Sequence, residues 1–360
     1  MRKALHAINL LRFAAGAERP IIGPAKVTWE VTYRCNMRCK HCHLWQVKEH
    51  SDLTTEEART FISDVKQAGT LHISFSGGEP FLREDFLELS SYARDLGLAT
   101  AVNTNGTRLV TPQSARQACD AGLSAVFVSL DGPDADTHNA LRGRPNAFDS
   151  ALRAIDNLLD QRRGRTPLVF INTTVNRGNI EALEETLALA RARRVDGMTM
   201  SIIQDVGKYS PEDEANLDAT SLDGFSRRLR KLADESGGLI PHSNEYLDHF
   251  QTYLERPNEL YKYRCAAGYA TALVHPNGEV YPCPVPFACM GNLREKRFPD
   301  IWFSQEADEI RRRIKANRHP ICWFDCIAPL NVLLHNIRRM NLRSVLHRRT
   351  LMHALRKVSR

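Results

Sequence analysis

Lys26-Val27-Thr28-Trp29-Glu30-Val31 leads into Cys35-Asn36-Met37-Arg38-Cys39-Lys40-His41-Cys42, and Leu71-His72-Ile73-Ser74-Phe75 leads into Ser76-Gly77-Gly78-Glu79-Pro80. Each is a short β-rich apolar run that stops at polar or glycine-rich punctuation, and each is followed by a helical pattern, Thr55–Gln67 and Asp85–Leu96. The same alternation continues through strand candidates Ala99–Asn103, Ala125–Leu130, Leu168–Thr174 and Gly197–Ile203. The matching helical patterns are Pro112–Ala121, Ala147–Asp160, Ile180–Arg193 and Leu222–Glu235. Thr54 or Thr55 with Glu57 nearby suits a helix start, and Gly69 suits a stop. Alternating strands and helices imply a parallel sheet with right-handed crossovers. Six such units fall short of a closed eight-stranded barrel. The expected fold is therefore α/β, an open, partial (β/α)6 TIM-type barrel, with a doubly wound flat sheet as the alternative.

The polar punctuation falls at one end of the sheet. The three cysteines follow the first strand and Ser76–Pro80 the second. Asn103-Thr104-Asn105-Gly106 ends the third, Ser129-Leu130-Asp131-Gly132 the fourth and Asn172-Thr173-Thr174 the fifth. Active sites of parallel barrels gather at the carboxyl ends of the strands, so these segments are expected to face one cavity.

The chain of 360 residues is 42% hydrophobic and 25% charged, which excludes disordered, collagen-like and coiled-coil readings. No stretch approaches the ~20 apolar residues of a membrane span. The apolar run after Met1-Arg2-Lys3 contains His6, is cut by Arg12 and lacks a convincing cleavage site, so an exported protein is not expected. The net charge of +7 resides in the ends: Cys326 to Arg360 holds eight bases and no acid, whereas the middle of the chain is mildly acidic. That distribution argues against a nucleic-acid binder.

Nine cysteines are too few for a disulfide scaffold and odd in number, which points to a reducing, cytoplasmic compartment. Cys35, Cys39 and Cys42 crowd together; Cys265, Cys283, Cys289, Cys322 and Cys326 lie near the end; Cys119 stands alone in a helical pattern and reads as core. Two thiol-rich zones suggest two metal sites. In the first, zinc with His41 or His43 as a fourth ligand is one reading. The other is a [4Fe–4S] cluster held by three thiolates, with one iron open to an exogenous ligand.

Cys35-x3-Cys39-x2-Cys42, with His41 in the aromatic position, resembles the cluster signature of the radical S-adenosylmethionine (SAM) enzymes, and Gly77-Gly78-Glu79-Pro80 resembles that family's GGEP element. The resemblance covers about residues 25–235. It implies that the open iron chelates the methionine part of SAM and that Glu79 accepts from its ammonium. Gly77 and Gly78 would let the backbone approach, and Asn105, Ser129 and Asp131 would surround the ribose and carboxylate. It further implies reductive cleavage of SAM to a 5′-deoxyadenosyl radical, which abstracts hydrogen from an unactivated carbon.

The C-terminal zone, with Gly278-x4-Cys283, Gly291-Asn292-Leu293, Ile301-Trp302 and Cys322-x3-Cys326, resembles the auxiliary-cluster domain of the SPASM/twitch subfamily. A full two-cluster domain has seven cysteines and this zone has five, which points to one auxiliary [4Fe–4S] cluster. Cys265, Cys283, Cys322 and Cys326 are the expected ligands and Cys289 the spare. That cluster would accept an electron from the substrate radical or hold the substrate. The expected division is a basic amphipathic segment over 1–25, the barrel over 26–240, the auxiliary-cluster domain over 241–328 and a basic amphipathic tail over 329–360.

A flavodoxin- or ferredoxin-type reductant is implied, and the substrate classes are peptide, tetrapyrrole and lipid or isoprenoid. So short an N-terminal segment is too small for a peptide-recognition domain, which weakens the peptide case unless a separate protein supplies one. A non-catalytic electron-transfer or sensor protein is the reading from another class, and the intact Gly77-Gly78-Glu79 element argues against it. Asp205, Tyr209, His242 and Glu245 are unranked acid–base candidates. Leu330, Leu333, Leu334, Ile337 and Met340, continued by Val345, Met352, Leu355 and Val358, form an apolar stripe among arginines. Leu5, Ile8 and Leu11 beside Arg2, Lys3 and Arg12 form a shorter one. Both suit either packing on the acidic body or peripheral contact with the inner face of a membrane.

Overall fold

A computed structural model describes residues 2–48, 51–205, 216–217, 224–285 and 287–339. The chain runs through helix α1 (Arg2–Ala14), strand β1 (Lys26–Thr32), α2 (Thr55–Ala68), β2 (His72–Gly77), α3 (Phe86–Asp95), β3 (Ala99–Thr104), α4 (Pro112–Asp120), β4 (Ala125–Ser129), α5 (Ala135–Arg142) and α6 (Ala147–Gln161). It continues through β5 (Leu168–Val175), α7 (Leu183–Ala192), β6 (Gly197–Ile202), α8 (Phe225–Glu235) and α9 (Asn244–Glu255). Last come β7 (Thr271–Val274), β8 (Glu279–Tyr281), β9 (Gly291–Asn292), α10 (Phe298–Trp302), α11 (Gln305–Lys315) and α12 (Ala328–Arg338).

Strands β1 to β6 are parallel and lie side by side in chain order, each hydrogen-bonded to its neighbours. A doubly wound sheet reverses strand order at a switch point. This order has none, and β6 does not pair with β1 among the described residues, so the sheet is an open barrel. Its strands alternate sharply. Val27, Trp29, Val31, Ile73, Phe75, Val126, Val128, Val169, Ile171, Met198 and Met200 are buried in the apolar core. The intervening Thr28, Ser74, Ser76, Asn103, Ser129, Asn172, Thr199 and Ser201 line the barrel's interior. Closed barrels fill that interior with branched apolar residues, whereas small polar side chains here leave it hollow. Each large outward side chain contributes about 1.5–3 kcal/mol by its burial.

Helix α2 shows how local signals fix an element. Thr54 accepts from the Glu57 N–H and Glu57 Oε2 accepts from the Thr54 N–H at 2.8 Å, a reciprocal cap. Gly69 closes the helix in the left-handed conformation at φ 105°.

The region after residue 240 departs from the expected arrangement. The hairpin β7–β8 forms as expected, but β7 also pairs in parallel with β1, from Lys26↔Thr271 to Trp29↔Val274. One nine-stranded sheet, β6-β5-β4-β3-β2-β1-β7-β8-β9, therefore carries both cysteine zones. The N-terminal segment is bound in as well. The Trp302 indole donates to Ile22 O at 3.2 Å, and Arg264 donates to Phe13 O and Ala17 O at 2.6 Å each. Much of the C-terminal stripe expected after Ile337 lies outside the described residues.

Because β7 covers one edge of β1, a chain ending after Leu260 presents that edge to solvent, a template for intermolecular pairing. Such a chain is expected to be recovered mainly in the insoluble fraction, while the full chain stays in the supernatant.

Candidate active site

The first cysteine loop is held on three sides. From β2, Gly78 N–H donates to Thr32 O and Glu79 N–H to Arg34 O, both at 2.8 Å. A Cβ on Gly77 would lie 2.3 Å from Thr32 O, and one on Gly78 2.3 Å from Arg34 O. The glycines are thus required by contact with the loop's own backbone. From β3, Asn105 Nδ2 donates to Asn36 Oδ1 and Asn36 Nδ2 to Thr107 Oγ1, both at 2.8 Å. From α5, the last turn accepts from Arg38 N–H at Arg142 O (3.1 Å) and from Lys40 N–H at Leu141 O (3.0 Å). Gly143, left-handed at φ 59°, ends α5 so close that a Cβ would lie 2.2 Å from Arg38 O.

Helix α5 and Arg142 were not legible as site elements. The signals were there: Asp134 caps the helix by accepting from Thr137 N–H at 2.8 Å, and Gly143 stops it. Arg142 is buried, lies 3.8 Å from Cys39 Sγ and pairs through Nε with Asp131 Oδ2 at 2.7 Å. Burial disfavours the Asp131 carboxylate, yet Arg142 beside it holds its pKa below the usual value. Asp131 Oδ1 also accepts from Thr174 N–H at 2.9 Å, and the carboxylate lies 3.9 Å from His41 Nε2. Burial lowers His41 to about 4, so its ring is neutral. Asp131 is therefore placed behind the cavity wall, supporting Arg142.

Glu79 is likewise buried behind the wall. Its carboxylate accepts from Thr104 Oγ1 at 2.8 Å, Asn105 N–H at 2.7 Å and Phe81 N–H at 3.2 Å. Burial pushes its pKa up to about 7 despite those donors. Gly77, Gly78, Asn105 and Ser129 line the cavity itself.

That cavity, of about 350 Å³, spans the barrel from Lys26 and His72 to Cys35, Cys39 and Cys42. Pro284, Phe324, Asp325 and Cys326 from the C-terminal region also line it. All nine cysteines are free thiols. Among the described residues no three His, Cys, Asp or Glu side chains converge tightly enough for a single metal ion. Yet Cys35, Cys39 and Cys42 share one apolar cluster and lie within electrostatic range of one another. Three thiols beside one cavity suit a cluster held by three thiolates with one iron open to an exogenous ligand. Burial raises Cys35 to about 11 and Cys42 to about 12, so thiolates form there as iron binds.

The second set is assembled from distant segments. Cys322 lies within electrostatic range of Cys265, Cys283 and Cys326, and burial raises the Cys265, Cys283 and Cys322 thiols. Cys289 is exposed and donates to Gly291 O at 3.4 Å, outside that group. Cys119 packs against the core. Of the acid–base candidates, His242 is buried with Nε2 accepting from Met200 N–H at 2.9 Å, and Glu245 accepts from Tyr263 and Asn336. Neither lines the cavity, Asp205 is exposed, and Tyr209 lies outside the described residues.

Comparison with known proteins agrees with this geometry. Residues 29–190 match the family model of the radical SAM superfamily, and residues 265–327 match SPASM, an iron–sulfur cluster-binding domain. An AdoMet-dependent heme synthase of Methanosarcina barkeri is 30% identical over 318 residues, 81% of this chain and 85% of that protein. A mycofactocin maturase of Mycolicibacterium smegmatis is 31% identical over 80% of this chain and 72% of that protein. The crystal structure of Streptococcus suis SuiB bound to S-adenosylmethionine shares the fold at TM-score 0.65 and 17% identity, over 85% of this chain and 72% of that one. The chain belongs to the radical SAM superfamily and carries a SPASM domain. It is an enzyme that takes an electron from a reductant and uses a [4Fe–4S] cluster, SAM and an auxiliary cluster. Together these supply a 5′-deoxyadenosyl radical for abstracting a substrate hydrogen.

Replacing Cys35, Cys39 and Cys42 together is expected to remove about half the iron bound after anaerobic reconstitution and all SAM cleavage. Asp131→Ala strands the Arg142 charge in the interior, with an expected loss of about 3–5 kcal/mol in unfolding free energy. Glu79→Ala is expected to weaken SAM binding at least tenfold by equilibrium dialysis while iron content stays within error of wild type.

Proposed function

We propose that the enzyme oxidises a tetrapyrrole side chain held between its two clusters. The observation that carries this reading is the cavity, whose lining includes Cys35, Cys39 and Cys42 together with Cys326. A substrate seated there has the hydrogen-abstracting group and an electron acceptor within one enclosure, so a radical formed on it need not diffuse. The chain's own residues supply the rest. Pro241, Pro284 and Phe324 exclude water, while Asn172, Thr199 and Ser201 offer hydrogen bonds inside the barrel.

The substrate class rests on the relatives. Beside the heme synthase, a protein named Fe-coproporphyrin III synthase, also from Methanosarcina barkeri, is 30% identical over 87% of this chain and 80% of that protein. The peptide reading is favoured by the mycofactocin maturase. In the tetrapyrrole reading Cys35, Cys39 and Cys42 hold the SAM-binding cluster, and Cys265, Cys283, Cys322 and Cys326 hold the auxiliary one. Gly77, Gly78, Asn105 and Ser129 contact SAM directly; Glu79 and Asp131 act from behind the wall. The electron comes from a flavodoxin- or ferredoxin-type protein in the cytoplasm.

The test is anaerobic turnover of reconstituted enzyme with dithionite, SAM and iron-coproporphyrin III. At least a tenfold rise in 5′-deoxyadenosine formation, with a new porphyrin mass, is expected. An unchanged rate and unaltered porphyrin would reject the tetrapyrrole reading, and stimulation by a precursor peptide instead would install the peptide one.

A further inference from the structure

Helix α1 is mounted with its apolar stripe outward. Its buried face is His6, Asn9 and Phe13, whereas Leu5 is 37%, Ile8 48% and Leu11 59% exposed. With Ile21, 47% exposed, these are the large exposed hydrophobic side chains of the described residues, and all lie within one short stretch of chain. The orientation is fixed from inside. His6 Nε2 lies 2.9 Å from Gly69 O, Asn9 Oδ1 accepts from Ile21 N–H at 3.0 Å, and Phe13 packs on the Tyr269 ring at 4.9 Å beneath the Arg264 guanidinium. Rolling the helix to bury the leucines would break both polar contacts and lift Phe13 out of its site. The helix thus packs on the body through the opposite face, and Leu5, Ile8 and Leu11 are left exposed.

The charges around the ridge are mainly basic. Arg2, Lys3, Arg12 and Arg19 flank it, and the one acid before Glu30 is Glu18, which pairs with Lys315. Arg19 reaches Asp308 at 3.4 Å but remains mostly exposed. Helix α12 packs against α1, with Leu334 and Ile327 beside Phe13. Its Arg338 acts electrostatically on Arg264, at the end of α1. After Arg339 the sequence adds six more bases and no acid.

We infer that α1, with Ile21, is a docking surface for an anionic lipid bilayer: Leu5, Ile8 and Leu11 enter the headgroup boundary while the flanking bases meet the anionic headgroups. A narrow apolar ridge with a mainly cationic border matches that environment. No helix among the described residues is long and apolar enough to cross a membrane, so the contact is peripheral. The inference is independent of the substrate, since vesicle binding and coproporphyrin turnover can succeed or fail separately.

The test uses reconstituted full chain, L5Q/I8Q/L11Q and a chain ending at Arg339, each sedimented with phosphatidylcholine vesicles with or without phosphatidylglycerol. The full chain is expected to bind the anionic vesicles at low salt and to release at high salt. The triple variant is expected to bind at least tenfold more weakly while keeping wild-type iron content, and the shortened chain to bind with intermediate strength. Should the triple variant lose iron, L11Q alone, at the most exposed position, is expected to weaken binding measurably. Equal binding by L5Q/I8Q/L11Q and wild type, or no binding by the full chain at low salt, overturns the inference. So does stronger binding by the shortened chain, which would make the tail the ridge's cover. Loss of a dimer in the triple variant without vesicle binding by wild type would assign the ridge to a second copy.

Discussion

The backbone contact between the end of β2 and the loop leaving β1 is the constraint on which the site depends. Gly78 and Glu79 continue the β1–β2 ladder past the strand ends, pairing with Thr32 and Arg34 just before Cys35. Any side chain at Gly77 or Gly78 would drive the two segments apart, because the atoms in the way are main-chain carbonyls that cannot swing aside. The direction in which Cys35, Cys39 and Cys42 leave the sheet is therefore set by a steric limit in the neighbouring strand. The same residues that stitch the loop also place Glu79 where it collects Thr104, Asn105 and Phe81 as donors.

Two further clamps turn that stitched loop into a rigid platform. Asn36 is tied to Asn105 and Thr107, while Arg38 and Lys40 are tied to the carbonyl end of α5. Orphan carbonyls at a helix C-terminus need donors, and the loop's amides satisfy them. Arg142 then brings a permanent positive charge against Cys39, balanced by Asp131. A buried pair of this kind is costly to break and leaves little freedom to the atoms around it.

One member of the second thiol set, Cys326, lines the same cavity, and β7 joins the barrel sheet at β1. That register carries the hairpin, and with it Cys283, to the edge of the barrel, and the segment Phe324–Cys326 contributes to the cavity's lining. One continuous sheet thereby brings segments about 290 residues apart in sequence, Cys35 and Cys326, onto one enclosure.

The six alternating strand and helix patterns, the cysteine spacing and the glycine pair were local, and by themselves they pointed to six parallel strands, in a barrel or a flat sheet, and to a resemblance to the radical SAM enzymes. Caps such as Thr54–Glu57 and Gly69 likewise depend on a few adjacent residues. The pairing of β7 with β1 was decided by the tertiary structure, because nothing within Thr271–Val274 says which edge it will cover. The same holds for Asp131 and Arg142, whose roles arise from a contact between a strand end and a helix end. It holds for α1 too: its leucine stripe was plain in the sequence, but which face turns inward was decided by His6 finding Gly69 and Asn9 finding Ile21. Hydrogen-bond partners drawn from other segments outweighed the local apolar pattern, and a pattern along one helix cannot report them.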